Sequence, residues 1–346
     1  MNKRLIGGIA IMATAVLALT ACGGSNDTAG SGSAGGSDSF SAVNIVSGNL
    51  GDQGFFDDAA RGMASLEAGG FKTQNIQGEV GSPAQWKTNL ESVSGSDWDV
   101  VITGTAQMHD ILDSAAAKYP EQNYVTYDDV VDQPNVASIL YKQNEGSYLA
   151  GVLAAAATTN PDKFPLATGS KKLGLVGGMD IPIINDFVAG FKKGAEAVDP
   201  SIEVLVSYVG DFADANKGFD QATAMYKQGA DVVFQVAGGA GQGVFTAAKD
   251  QNRYAIGVDA NQNGLQEGHI LASMLKNIGA SLESAVKAAK DGTLKYGETT
   301  EYGLANDGVS LVFDDNGGIV PQDIQDLVKT YAQKVIDGEI TVPTAM

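Results

Sequence analysis

Two acidic side chains that stand where apolar runs stop are well placed to do chemistry in this chain. Asp259 ends the run Tyr254-Ala255-Ile256-Gly257-Val258, with Asn261 and Gln262 just beyond it. A carboxylate there can accept from two neighbouring hydroxyls at once, or it can cap a turn. Asp128 ends Tyr124-Val125-Thr126-Tyr127 in the same way. Lys276 interrupts an apolar stretch from Leu271 to Ile278. An unpaired ammonium is costly in such a place, so Lys276 either faces a cleft and an acid or snorkels outward. Gly238 and Gly239 follow Val232-Val233-Phe234 and precede a helical pattern. Bare backbone lets a ligand approach, and the N–H groups of a helix start are free donors. Gly104, Thr105 and Gln107 follow another strand end.

This set can grip a polar ligand but has little to catalyse with. The glycines at 239, 241 and 243 space as G-x-G-x-G, not as the dinucleotide fingerprint G-x-G-x-x-G. His109 and His269 are far apart, without metal-ligand spacing, and Cys22 is the only cysteine. We therefore expect no metal, no cofactor and no covalent chemistry.

The elements that must position these residues alternate regularly. Strand patterns fall at 43–46, 73–76, 100–103, 124–127 and 136–140, with helical patterns between them. The alternation restarts with a helix over 148–157 and strands at 173–176, 204–209, 232–234 and 254–258. A strand at 270–275, a helix to Lys290, a strand at 309–313 and a helix over 322–336 close the chain. Two βα series of similar size predict an α/β protein of two doubly wound lobes with parallel sheets. Polar strand ends of such sheets are where ligands bind.

The N-terminus predicts export. Lys3 and Arg4 precede an apolar run to Leu19, and Leu19-Thr20-Ala21-Cys22 matches a bacterial lipobox. Residues 1–21 read as a lipoprotein signal peptide and residues 22–41, rich in Gly, Ser and Ala, as a flexible tether. Lipid on Cys22 would hold the protein at the extracytoplasmic face of the cell membrane. With 22 Lys+Arg against 41 Asp+Glu the formal net charge is −19, which repels nucleic acid and anionic lipid.

Several segments together resemble the basic membrane protein family of ABC-transporter substrate-binding lipoproteins, which includes purine nucleoside receptors. They are Gly51-Asp52-Gln53-Gly54-Phe55-Phe56-Asp57, Asn144 to Gly151, Gly177-Gly178-Met179, Val236 to Val244, Ile256 to Asp259, and Ser273 to Asn277. The resemblance implies a type I periplasmic-binding-protein fold, with two lobes joined by three crossovers. Residues 42–141 plus about 275–305 would form lobe 1, and residues 142–274 plus about 306–346 lobe 2. It implies a monomer that closes on a nucleoside and delivers it to an ABC permease.

Carried over by position, Asp259 and Lys276, with Asp128, are the ribose candidates. Phe55 and Phe187 are the rings that would stack on the base, and Asp57 either contacts ligand or caps the next helix. If extended, adjacent Phe55 and Phe56 would point to opposite sides, one to the core and one to the cleft. Many members have Phe-Asn-Asp where this chain has Phe55-Phe56-Asp57. Losing that amide implies a site less selective for the base, purine or pyrimidine. Two other readings stay open: the same fold holding a sugar or other polar metabolite, and an exported nucleoside hydrolase-like enzyme.

Overall fold

The computed structural model describes Ser39–Met346; the expected signal peptide, Cys22 and nearly all of the tether lie outside the described residues. The first half of the chain runs β1 (Ser41–Val46), α1 (Phe55–Ala68), β2 (Lys72–Gln77), α2 (Pro83–Val93) and β3 (Val100–Gly104), then α3 (His109–Lys118), β4 (Tyr124–Tyr127) and β5 (Val136–Tyr141). Every residue of β1, β3 and β4 is buried, because helices cover both faces of the sheet. β2, with the sequence KTQNIQ, sits at the sheet edge and keeps polar, partly exposed residues there.

The second half repeats the plan: α4 (Gln143–Thr159), β6 (Lys172–Gly177), α5 (Pro182–Val198), β7 (Glu203–Tyr208) and α6 (Ala215–Lys227). It continues through β8 (Val232–Val236), α7 (Gly241–Asp250), β9 (Tyr254–Asp259) and β10 (Ile270–Lys276). The chain then returns as α8 (Ile278–Lys290), β11 (Thr299–Tyr302), β12 (Val309–Val312) and α9 (Gln322–Ile336). The two sheets have the orders β11-β5-β4-β3-β1-β2 and β12-β10-β9-β8-β6-β7, the same winding twice.

The chain crosses between the sheets three times: from β5 to α4, from β10 to α8 and from β11 to β12. α8 packs on α1 beside the first sheet. There Gly62 and Gly279 touch backbone to backbone, and a Cβ on Gly62 would meet the Gly279 carbonyl oxygen at 2.4 Å. This is the type I periplasmic-binding-protein fold.

Three details differ from what the sequence pattern predicts. β11 carries no apolar run, being a short, exposed edge strand paired parallel to β5. β12 runs antiparallel to β10, so the second sheet is mostly rather than wholly parallel. α4 begins at Gln143, not at 148, because its polar first turn is buried: Gln143 Nε2 donates to Asp186 Oδ2 at 2.6 Å and Asn144 Nδ2 to the Val342 carbonyl at 3.2 Å. Among the described residues, no helix is long and apolar enough to cross a membrane.

Candidate ligand-binding site

Where the carboxyl ends of the two sheets face each other they enclose a cleft of about 520 Å³, a size usual for small-molecule sites. The equivalent strands of the two lobes deliver equivalent turns to it. Thr105 after β3 has φ 80° and Gly238 after β8 has φ 54°. Asp128 after β4 has φ 64° and Asp259 at the end of β9 has φ 65°. Left-handed backbone at non-glycine residues is a form of strain that concentrates at functional sites, and Asp tolerates it better than most.

The two lobes meet in an ion pair at the cleft floor. Lys276, the last residue of β10, donates from Nζ to Asp128 Oδ1 at 2.5 Å, and both side chains are almost fully buried. The Nζ also lies 5.2 Å from the Tyr141 ring, 5.3 Å from Phe187 and 5.6 Å from Phe55, an aromatic surround that suits a desolvated cation. An ammonium has three donors, and Asp128 takes one.

Beside it lies Asp259, buried, its carboxylate accepting no hydrogen bond from any described residue. Burial pushes its pKa up to about 7; Lys276 pulls against that rise, while Asp128 and Asp52 add to it. A carboxylate on the cleft wall without a protein donor is costly to keep charged.

Phe55 and Phe56 both line the cleft from the first turn of α1. The expectation of one ring in and one out assumed extended backbone, and a helical turn instead carries both rings toward the opening. Phe55 stands edge-on to Phe56 at 5.1 Å and tilted over Tyr127 at 5.5 Å. The Phe56 ring fills the space beside Gly48, where a Cβ would come within 2.3 Å of it. Thr105, Gln107, Phe187, Gly238 and Gly239 also line the cleft.

Two sequence candidates do not line it. Asp57 accepts from the Gly51 N–H at 2.7 Å and the Gln53 N–H at 2.9 Å, so its carboxylate is spent on the preceding loop. Gly104 pairs with Tyr127 on the neighbouring strand β4, where a Cβ would meet the Tyr127 carbonyl oxygen at 2.6 Å. His109 and His269 are engaged elsewhere, with Asp129 at 3.0 Å and the Arg253 carbonyl at 2.9 Å.

Other lining residues escaped the sequence reading: Asp52, Met179, Asp211 and Phe212. Asp52 accepts from the N–H groups of Gly54, Phe56 and Asp57 at 2.9–3.1 Å, capping α1; burial raises its pKa against those bonds. Asp211 and Phe212 follow β7, so the strand-end rule that finds Asp128 and Asp259 would also have found them.

The family described as ABC transporter substrate-binding protein PnrA-like matches residues 40–345. The chain is 32% identical to the ABC transporter nucleoside-binding protein BmpA of Lactococcus lactis, over 99% of this chain and 100% of that one. It is 33% identical to a CD4+ T-cell-stimulating antigen of Listeria monocytogenes, over 96% of each. An ABC transporter solute-binding protein structure from Aeropyrum pernix aligns with a TM-score of 0.78 at 26% identity, covering 88% of this chain and 94% of that one.

Proposed function

The chain belongs to the PnrA-like family of ABC transporter substrate-binding proteins, and from that premise we propose that its cleft captures a nucleoside and hands it to an ABC permease. The observation that carries this reading is Asp259: a buried carboxylate at a strand end with no protein donor, next to an ammonium with donors to spare. A vicinal diol supplies two O–H donors to the first and acceptor oxygens to the second. Asp259, Lys276 and Asp128 would thus hold the ribose.

Phe55 and Phe187 flank the same ammonium and offer flat faces for the base, with stacking that is tolerant of base identity. Thr105, Gln107, Gly238 and Gly239 would contribute polar contacts along the walls. Closure of the lobes traps the ligand, and opening releases it; no bond is made or broken. In this reading the protein works as a monomer, tethered outside the cytoplasmic membrane by lipid on Cys22.

A thermal-shift panel of ribonucleosides, free bases and pentoses tests the ligand class. Ribonucleosides should give the largest stabilisation, because only they satisfy both the acids and the rings. Larger shifts with pentoses than with any nucleoside would replace this reading with sugar binding.

A further inference from the structure

The loop between β1 and α1 borders the cleft and also reaches across from the first lobe to touch two glutamines of the second that do not line it. Its backbone is braced by two carboxylates. Asp52 accepts from three N–H groups, those of Gly54, Phe56 and Asp57, and Asp57 accepts from those of Gly51 and Gln53. Gln53 holds φ 55°, a left-handed conformation that favours glycine. The Gln53 carbonyl accepts from Gln262 Nε2 at 3.0 Å, a contact between residues 209 positions apart.

Gln262 is buried, and its other end is fixed from behind. Its Oε1 accepts from Gln235 Nε2 at 2.8 Å and from the Val258 N–H at 2.9 Å. Those two donors decide which end of the amide meets the loop, because an oxygen must face them and the NH₂ is left to point at Gln53. A second glutamine lies close by: Gln242 Nε2, in the first turn of α7, is 3.5 Å from the Asp52 carbonyl oxygen. Neither glutamine lines the cleft.

We propose that Gln262, backed by Gln242, is a closure latch that clasps the lobe 1 loop by its carbonyl oxygens and sets how much of the ligand-free protein is already closed. The donors come from lobe 2 and the acceptors from lobe 1, so the bonds form when the lobes close and are lost when they part. Because neither glutamine side chain lines the cleft and the acceptors are backbone carbonyls, the latch should act on every ligand alike. Apparent affinity scales with the closed fraction, and a bond made only in the closed state slows dissociation more than it speeds association. Asp57 gains a role here too, as the brace that presents the Gln53 carbonyl.

Spin labels on the two lobes test this without any ligand. Lys87→Cys and Lys227→Cys in a Cys22→Ser background place one label on α2 and one on α6, both at exposed positions. Gln262→Glu keeps an acceptor for Gln235 and Val258 but turns an oxygen toward the Gln53 carbonyl. It should move the inter-label distance distribution toward longer distances. Gln242→Ala, which leaves the Gln262 network intact, should do so to a smaller extent and stands as the test if Gln262→Glu does not fold. Unchanged distances in the folded variants would overturn the latch.

With adenosine and uridine as probes, each variant should raise the dissociation rates of both probes by a common factor, about two- to tenfold for loss of one hydrogen bond and smaller for Gln242→Ala, with the ranking of the two probes preserved. A changed ranking would make the glutamines ligand contacts instead. If neither probe binds the parent protein, the nucleoside reading fails while the label distances still decide the latch.

Discussion

Asp259 concentrates the chemistry of the cleft, and its protonation gives a directional pH dependence. Burial holds its carboxyl near 7, well above its ordinary value of 3.8. A group whose folded pKa is raised binds an extra proton in the folded state, so its contribution to stability is complete below 3.8 and is lost as pH rises through about 7. The ligand-free protein should therefore lose melting temperature between about pH 4 and 7, and Asp259→Asn should lose less over the same range. A parallel fall in both would remove Asp259 as the source. On the proposed reading ribose hydroxyls would donate to the charged form, so ligand binding should expel a proton below about pH 7 and tighten as pH rises through that value. Calorimetry in buffers of different ionisation enthalpy reads that proton. At the same scale, the family resemblance puts Phe56 where many members carry Asn, and on the proposed reading that amide would read a base edge. An apolar wall rejects the wrong base weakly, so purine and pyrimidine nucleosides should bind within about two decades of one another. Phe56→Asn should widen the spread; an unchanged ranking with lower stability would make Phe56 a packing residue. Asp128, Asp259 and Lys276 were legible in the sequence because each breaks an apolar run. The roles of Asp52 and Asp57 were not, since both carboxylates accept backbone N–H groups of one loop and loop geometry alone decides that Asp52 also borders the cleft.

The elements that hold these residues were mostly legible, because buried parallel strands and amphipathic helices print their periods directly into the sequence. The exceptions have physical causes. β11, of sequence TTEY, buries no face and so carries no period. The first turn of α4 is polar, yet buried against Asp186 and the C-terminal segment, partners that lie far away in sequence. Strand direction in β12 depends on which edge the returning chain meets, which local pattern does not encode. Contact between α1 and α8 rests on Gly62 and Gly279, and Gly279 N–H also donates to Asp58 Oδ2 at 2.8 Å. Gly62→Ala should force the two helices apart and lower stability by about 1–3 kcal/mol, the usual cost of overpacking. Denaturant titration would read this as a lower midpoint at unchanged slope; an unchanged midpoint would mean that the helices slide freely at this crossing.

At the scale of the whole molecule, two copies of one winding face each other, and three crossings of the chain let them close. Lys276 of one sheet meets Asp128 of the other at 2.5 Å, so on the proposed reading the ion pair and the ribose grip would form together as the lobes close. The proposed lipid tether is tested separately: Cys22→Ser should release the protein from the membrane or leave its signal uncut, as fractionation and mass measurement would detect. Normal cleavage with unchanged membrane association would contradict lipidation at that residue. The central claim, a nucleoside held through its diol by Asp259, is tested most directly by titration calorimetry of a ribonucleoside and its 2′-deoxy analogue against the parent protein and Asp259→Ala. The parent should prefer the ribonucleoside, and Asp259→Ala should lose about 2–4 kcal/mol of binding together with most of that preference, since charge-assisted bonds are removed and their partners stranded. Parent-like affinity in Asp259→Ala would contradict the account.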